Sequence, residues 1–204
     1  MRPGFRTARS RLRPPADKYA GHVARTSVLS TRVLLTCAAI GVATGLLGGL
    51  AGWITYPVLA VAAPLYGFVL GVHVLPGIIA QEVLRLPWVA LLTHVLAALV
   101  ASAIGPQWTL RFLGTAILFG GIQEVIAALT RYRSWAAWRF FVSGAVIGLV
   151  IAVAVFFAAH IGGMPLWAQI LYLVLSVVAP VLWTAVGLGV GTGLRRAGIT
   201  RVRR

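Results

Sequence analysis

Three acidic side chains occur in 204 residues: Asp17, Glu82 and Glu124. Glu124 lies well inside an apolar segment, Thr109 to Thr130, whose other charge is Arg111 near its start. A charge buried in a membrane is costly, so such an acid is a functional candidate. Its neighbours three and four residues away are Gly120, Gly121, Ala127 and Ala128. That small face packs closely against other helices and turns Glu124 toward protein rather than lipid. A carboxylate there either contacts a ligand or pairs with another protein group, and His94 stands at a similar depth on another segment. Glu82 and Arg85, three apart, form a local ion pair. No His-Glu-x-x-His run, nucleophile elbow or phosphate-binding glycine loop is present. Two carboxylates in apolar segments give acid–base catalysis little to work with, so an enzyme is not expected, and no cofactor is called for. Cys37 is the one cysteine, and no Cys/His spacing suggests a metal site.

These residues are carried by apolar segments. The chain is 60% apolar and 10% charged, with a mean hydropathy of +0.94. Soluble domains carry roughly 25% charged residues. The expected fold is therefore all-α: a polytopic membrane protein with six transmembrane helices in one bundle. The spans are read as Val33 to about Ile54, Phe68 to Val83 with a kink near Pro76, Pro87 to Ile104, Thr109 to Thr130, Ala137 to His160, and Ala168 to Gly193. Between the first two, Pro57 to Gly67 reads as an outer loop or a short membrane-entering segment. The first span follows a basic leader too long for a cleaved signal and is read as retained. Residues 1–32 and 195–204 form basic tails around a membrane domain at 33–194.

The net charge of +15 is distributed as a topology signal. Basic residues cluster in the two tails and at Arg85, Arg131, Arg133 and Arg139, which six spans place on one side. Both termini are then cytoplasmic in the plasma membrane, facing anionic lipid. No base-reading motif accompanies the charge, so nucleic acid is not an expected partner. The outer side collects Tyr56, Tyr66, Trp108 and Trp167, either as interfacial anchors or as a stacking pocket for a flat ligand. Gly41, Gly45 and Gly49 recur every four residues. They let a helix approach closely, either within this chain or from a partner protein.

Taken in order, several short motifs resemble the YkoE-like substrate-binding (S) components of energy-coupling factor (ECF) vitamin transporters. They are Pro64-Leu65-Tyr66-Gly67, Val74-Leu75-Pro76-Gly77, Leu86-Pro87 with Ala90-Leu91, Gly105-Pro106-Gln107-Trp108, Glu124, Arg131 to Trp135, Gln169 to Tyr172, and Leu194 to Gly198. The resemblance covers about residues 33 to 200. It implies a six-helix, non-enzymatic protein that captures thiamine or its hydroxymethylpyrimidine precursor from outside. Such a protein docks on a transmembrane coupling (T) subunit driven by cytoplasmic ATPase subunits. It places substrate contacts at Tyr66, His73, His94, Gln107, Trp108, Glu124 and Tyr172, and partner docking at Gly41, Gly45 and Gly49. The chain departs from the family pattern at His73, His94, Phe119 and near Val155 and Phe156. Two other readings are a stand-alone proton-coupled carrier using Glu124 and His94, and a non-transporting membrane scaffold. On the first reading the turn Gly105 to Trp108 touches substrate, with Glu124 as support or pocket floor.

Overall fold

In the computed structural model, which describes residues 30–198, the chain is helical, with no strand among the described residues. The helices are α1 (Thr31–Ala62), α2 (Tyr66–Gly71), α3 (Leu75–Leu84), α4 (Val89–Ile104), α5 (Thr109–Leu129), α6 (Ala137–Ala158) and α7 (Leu166–Arg196). Tight 3-10 turns at Ala63–Leu65, Val72–Val74, Pro106–Trp108 and Ile161–Gly163 punctuate them. Most of the expected basic tails lies outside the described residues.

Four apolar helical runs are long enough to cross a bilayer: Thr31–Leu84, Pro106–Leu129, Ala137–Ala158 and Leu166–Arg196. The 16-residue α4 is a shorter apolar helix. Exposed Leu35, Leu110, Ile117, Leu149 and Phe157 give the bundle an apolar outer surface, as lipid contact requires. The protein is thus an all-α membrane protein.

The 54-residue run from Thr31 to Leu84 is two antiparallel arms. Val33, Cys37 and Ile40 near the start of α1 pack on Ile79, Ala80 and Val83 near the end of α3. Further along, Gly48 faces His73. α1 outlasts its expected end at Ile54. It runs 32 residues, through Pro57. That proline removes one backbone donor, but a membrane-spanning helix tolerates this, so the helix continues and the expected outer loop shrinks to the turn at Ala63–Leu65. The break expected near Pro76 falls just before it, at Val72–Val74. Pro76 then occupies the first turn of α3, where a missing N–H is harmless.

Close approach sets the remaining packing. A Cβ added at Gly41 would lie 2.9 Å from Leu96 Cβ, at Gly45 2.5 Å from the Ala97 carbonyl oxygen, and at Gly49 2.7 Å from Ile104 Cδ1. The glycine row is therefore filled by α4 of the same chain and is not open to a partner while α1 and α4 stay together. Gly144 and Gly148 likewise admit Thr184 and the backbone at Ser176 and Val177 of α7.

The bundle has two chemically distinct ends. One, the basic end, gathers the end of α3, the starts of α4 and α6, and the ends of α5 and α7, joined through Glu82, Glu124, Arg139 and Arg195. The other, the aromatic end, gathers Trp53, Tyr56 and Trp108, with Trp53 and Trp108 rings 4.9 Å apart.

Candidate functional site

The α4 helix begins badly. Trp88 precedes it in the left-handed region (φ 65°) and offers no side-chain cap. Left-handed backbone is unfavourable for a side chain of this size, and the first helical N–H groups need acceptors. Glu124, 3% exposed, supplies them from α5. One carboxylate oxygen accepts the Ala90 N–H at 2.8 Å and the Gln81 amide at 3.3 Å. The other accepts the Trp88 N–H at 3.0 Å and the Tyr132 hydroxyl at 3.1 Å. A carboxylate at a helix N-terminus also meets the positive end of the helix dipole. In the loop after α5, Arg131 and Tyr132 are both left-handed, and this backbone path carries the Tyr132 hydroxyl to Glu124. Burial first, then the Glu124 charge and the hydrogen bond to it, push the Tyr132 phenol up to about 12, so it remains a donor at neutral pH.

Around this acid lies a network that the charge pattern did not single out. Gln81 accepts from Arg139 Nη2 at 3.3 Å. Arg139 is only 1% exposed, and its guanidinium lies 4.4 Å from the ring centroids of both Trp135 and Phe140. Gln123 donates to the Val74 carbonyl at 3.1 Å and meets His94 Nε2 at 3.1 Å. Gly77 makes room for it: a Cβ there would sit 1.8 Å from Gln123 Oε1. His94 therefore pairs with Gln123, and the His94–Glu124 pair allowed by their matched depth is not formed. Glu82 meets Arg85 at 3.7 Å, as its spacing suggested, but Arg195 from α7 is closer at 3.0 Å. Three amides and cations in this network, Gln81, Gln123 and Arg139, escaped the sequence reading. A neutral glutamine in an apolar run carries no charge signal, and Arg139 read as a loop cation. The available clue was Trp135, four residues before Arg139, an aromatic partner at helical spacing.

At the aromatic end three small cavities adjoin. One, about 20 Å³, touches His73, His94, Gly48 and Thr115. A second, about 10 Å³, touches Thr55, His73, Trp108, Arg111 and Thr115. The third, about 160 Å³, lies between α2, α5 and α6 and touches Tyr66, Leu70, Arg111, Thr115, Phe119 and Ile151. It forms where α5 and α6 meet only sparsely. Thr115 is common to all three, and Arg111 stands between the last two, donating from Nη2 to the Tyr66 hydroxyl.

The sequence-selected residues fall into separate groups. Tyr66, His73, His94 and Trp108 line these cavities. Trp108 is also held by rings of Trp53, Tyr56 and Phe112. Gln107 is exposed on the turn and lines none of the three. Glu124 lines none of them and is engaged at the basic end. Tyr172, fully buried, donates to the carbonyls of Ile151 at 3.3 Å and Ala152 at 3.0 Å, tying α7 to α6. Arg111 was read only as a charge near the start of its span, yet it occupies the boundary of the largest of the three cavities.

No curated protein matches the chain. A crystal structure of an S-component of an ECF transporter aligns with it at a TM-score of 0.73 and 18% sequence identity, covering 83% of this chain and 87% of that one. At that identity the likeness establishes the fold. The family model described as the permease component of an ABC-type cobalt transport system matches residues 32–150, more than half the chain. With a helical bundle, a buried cap at one end and cavities at the other, the chain belongs to this ABC-type cobalt transport permease-component family, in the fold of an ECF S-component.

Proposed function

We propose that the chain is the substrate-capturing membrane subunit of an ECF-type importer. It crosses the membrane six times with both termini cytoplasmic, and it takes its ligand at the aromatic end. The observation that carries this reading is the adjoining cavities around Thr115 and Arg111, in a fold shared with an S-component. The resemblance of the motifs points the ligand toward the thiamine class. Within that class, the size of the largest of these cavities favours the single-ring hydroxymethylpyrimidine precursor over two-ring thiamine. The family description names cobalt, but the donor set does not favour it as cargo: among the described residues no three His, Cys, Asp or Glu side chains come together. A proton-coupled carrier is disfavoured because Glu124 is held by four donors and His94 by Gln123.

Docking on a coupling subunit falls to the other side of α1. There Thr36, Ala39, Ala43 and Thr44 line an apolar groove of about 780 Å³ closed by Ile79 and Val190. Small side chains let a partner helix approach, as the filled glycine row cannot. Co-expression with a coupling subunit and its ATPases tests both parts. Ala39→Leu should leave a folded, monodisperse chain that no longer co-purifies with the complex. Gly45→Leu should not fold, because its side chain meets the α4 backbone. Co-purification of Ala39→Leu at the wild-type level would move the docking surface elsewhere. Release of a single-ring heteroaromatic compound from the denatured wild-type complex, identified by mass spectrometry, would support the capture role.

A further inference from the structure

The largest of the three aromatic-end cavities carries more information about its ligand than size. Tyr66, 1% exposed, lines it, and Arg111, the cation at its edge, donates to the Tyr66 hydroxyl. Among the described residues no carboxylate balances Arg111 at this end. Of the two acids among the described residues, Glu82 is bound to Arg85, Arg195 and Thr192, and Glu124 to four donors, all at the basic end. A cationic ligand would meet uncompensated positive charge. A ligand with an acidic group would meet a planar donor fork, which suits carboxylate and phosphate oxygens. Apart from Thr115 the remaining walls are apolar, with Leu70, Phe119, Ile151 and Val155. A cavity of about 150 Å³ with apolar walls accepts a benzene-sized ring, and this one measures about 160 Å³.

We infer that this cavity takes a single flat heteroaromatic ring bearing an anionic group, with Arg111 as the anion anchor and Tyr66 as the hydroxyl that the anion displaces from it. The inference rests on the substrate-capture reading and keeps its single ring, but replaces the neutral hydroxymethylpyrimidine that the motifs suggest with an acidic one. Arg111 also controls space. Its contact with Tyr66 lies between the cavity near Trp108 and the one near Ile151, so a ligand anion that draws the guanidinium toward itself seals the ring on the Ile151 side.

The test uses the full chain purified in detergent and three probes that share one aminopyrimidine ring with a methyl group. They differ only in a carboxylate, a hydroxymethyl or an ammoniomethyl substituent, and binding is measured by calorimetry. The carboxylate should bind about tenfold more tightly than the hydroxymethyl compound, the scale of one charge-assisted hydrogen bond, and the ammoniomethyl compound should bind weakest. Arg111→Gln should erase the carboxylate preference, while Arg111→Lys should keep part of it. Equal or tighter binding of the neutral or cationic probe overturns the inference. So does a carboxylate preference that survives in Arg111→Gln, or the failure of all three probes to bind at millimolar concentration. The capture reading is judged separately, by co-purification with the coupling subunit, which does not depend on ligand charge.

Discussion

At the basic end, Glu124 has four donors around one carboxylate and Arg139 lies between two rings; deeper in the bundle, toward the cavities, Gln123 bridges His94 to Val74. At the aromatic end, Arg111 donates to Tyr66 beside small cavities, and α5 and α6 meet sparsely. The first arrangement satisfies nearly every buried polar group and so fixes helix positions. The second leaves donors beside empty space, which costs packing and suits a ligand. Intramembrane charge is therefore divided between two ends: the acid holds the scaffold at one, and at the other stands Arg111, the cation to which we assign recognition.

Mutations can break this division. Glu124→Ala leaves the Trp88 and Ala90 N–H groups and the Tyr132 hydroxyl without their acceptor and the Gln81 amide with only the Gln123 carbonyl, and should cost about 3–5 kcal/mol, as removal of one partner from a buried charged network does. Thermal unfolding in detergent reads it. If instead stability holds and ligand affinity collapses, the acid belongs to recognition and the division fails. Arg111→Gln is the converse case. It should change the melting temperature little, because the side chain is largely exposed, and act mainly on ligand binding. A large loss of stability would make Arg111 part of the scaffold. Two smaller effects sharpen the picture. Tyr132→Phe removes one of the four bonds to Glu124 and Tyr172→Phe removes the tie from α7 to α6. Each should cost about 1 kcal/mol in unfolding free energy, with binding at the aromatic end unchanged. A loss of binding in Tyr172→Phe would return that residue to the site, where the motif resemblance placed it.

Much of this arrangement was legible in the residue order. The apolar runs, the spacing of Gly41, Gly45 and Gly49, and Gly120 and Ala127 beside Glu124 announced a tightly packed helical membrane protein with an inward-facing acid, although Gly121 and Ala128, expected on the same packed face, stay open. The break before Pro76 followed from proline's missing donor and its clash with the preceding turn. Less legible was anything that depended on a neutral side chain far away in sequence. Gln81 and Gln123 lie 42 residues apart and meet because α3 and α5 are brought together over Gly77. Helical periodicity reports which face of a helix is buried, but not which helix covers it.

That limit separates the two sources of information. Composition and the order of apolar and basic segments determined the class of protein, the helix-rich fold and the residue types available for chemistry, because the bilayer imposes length and hydropathy on each span. Tertiary structure decided the partner of every such residue. It gave the glycine row to α4, Glu124 to the start of α4, His94 to Gln123, and Arg111 to the edge of a cavity. Hydrogen bonds and close packing act over a few ångströms, and only the folded bundle sets which groups come within that range.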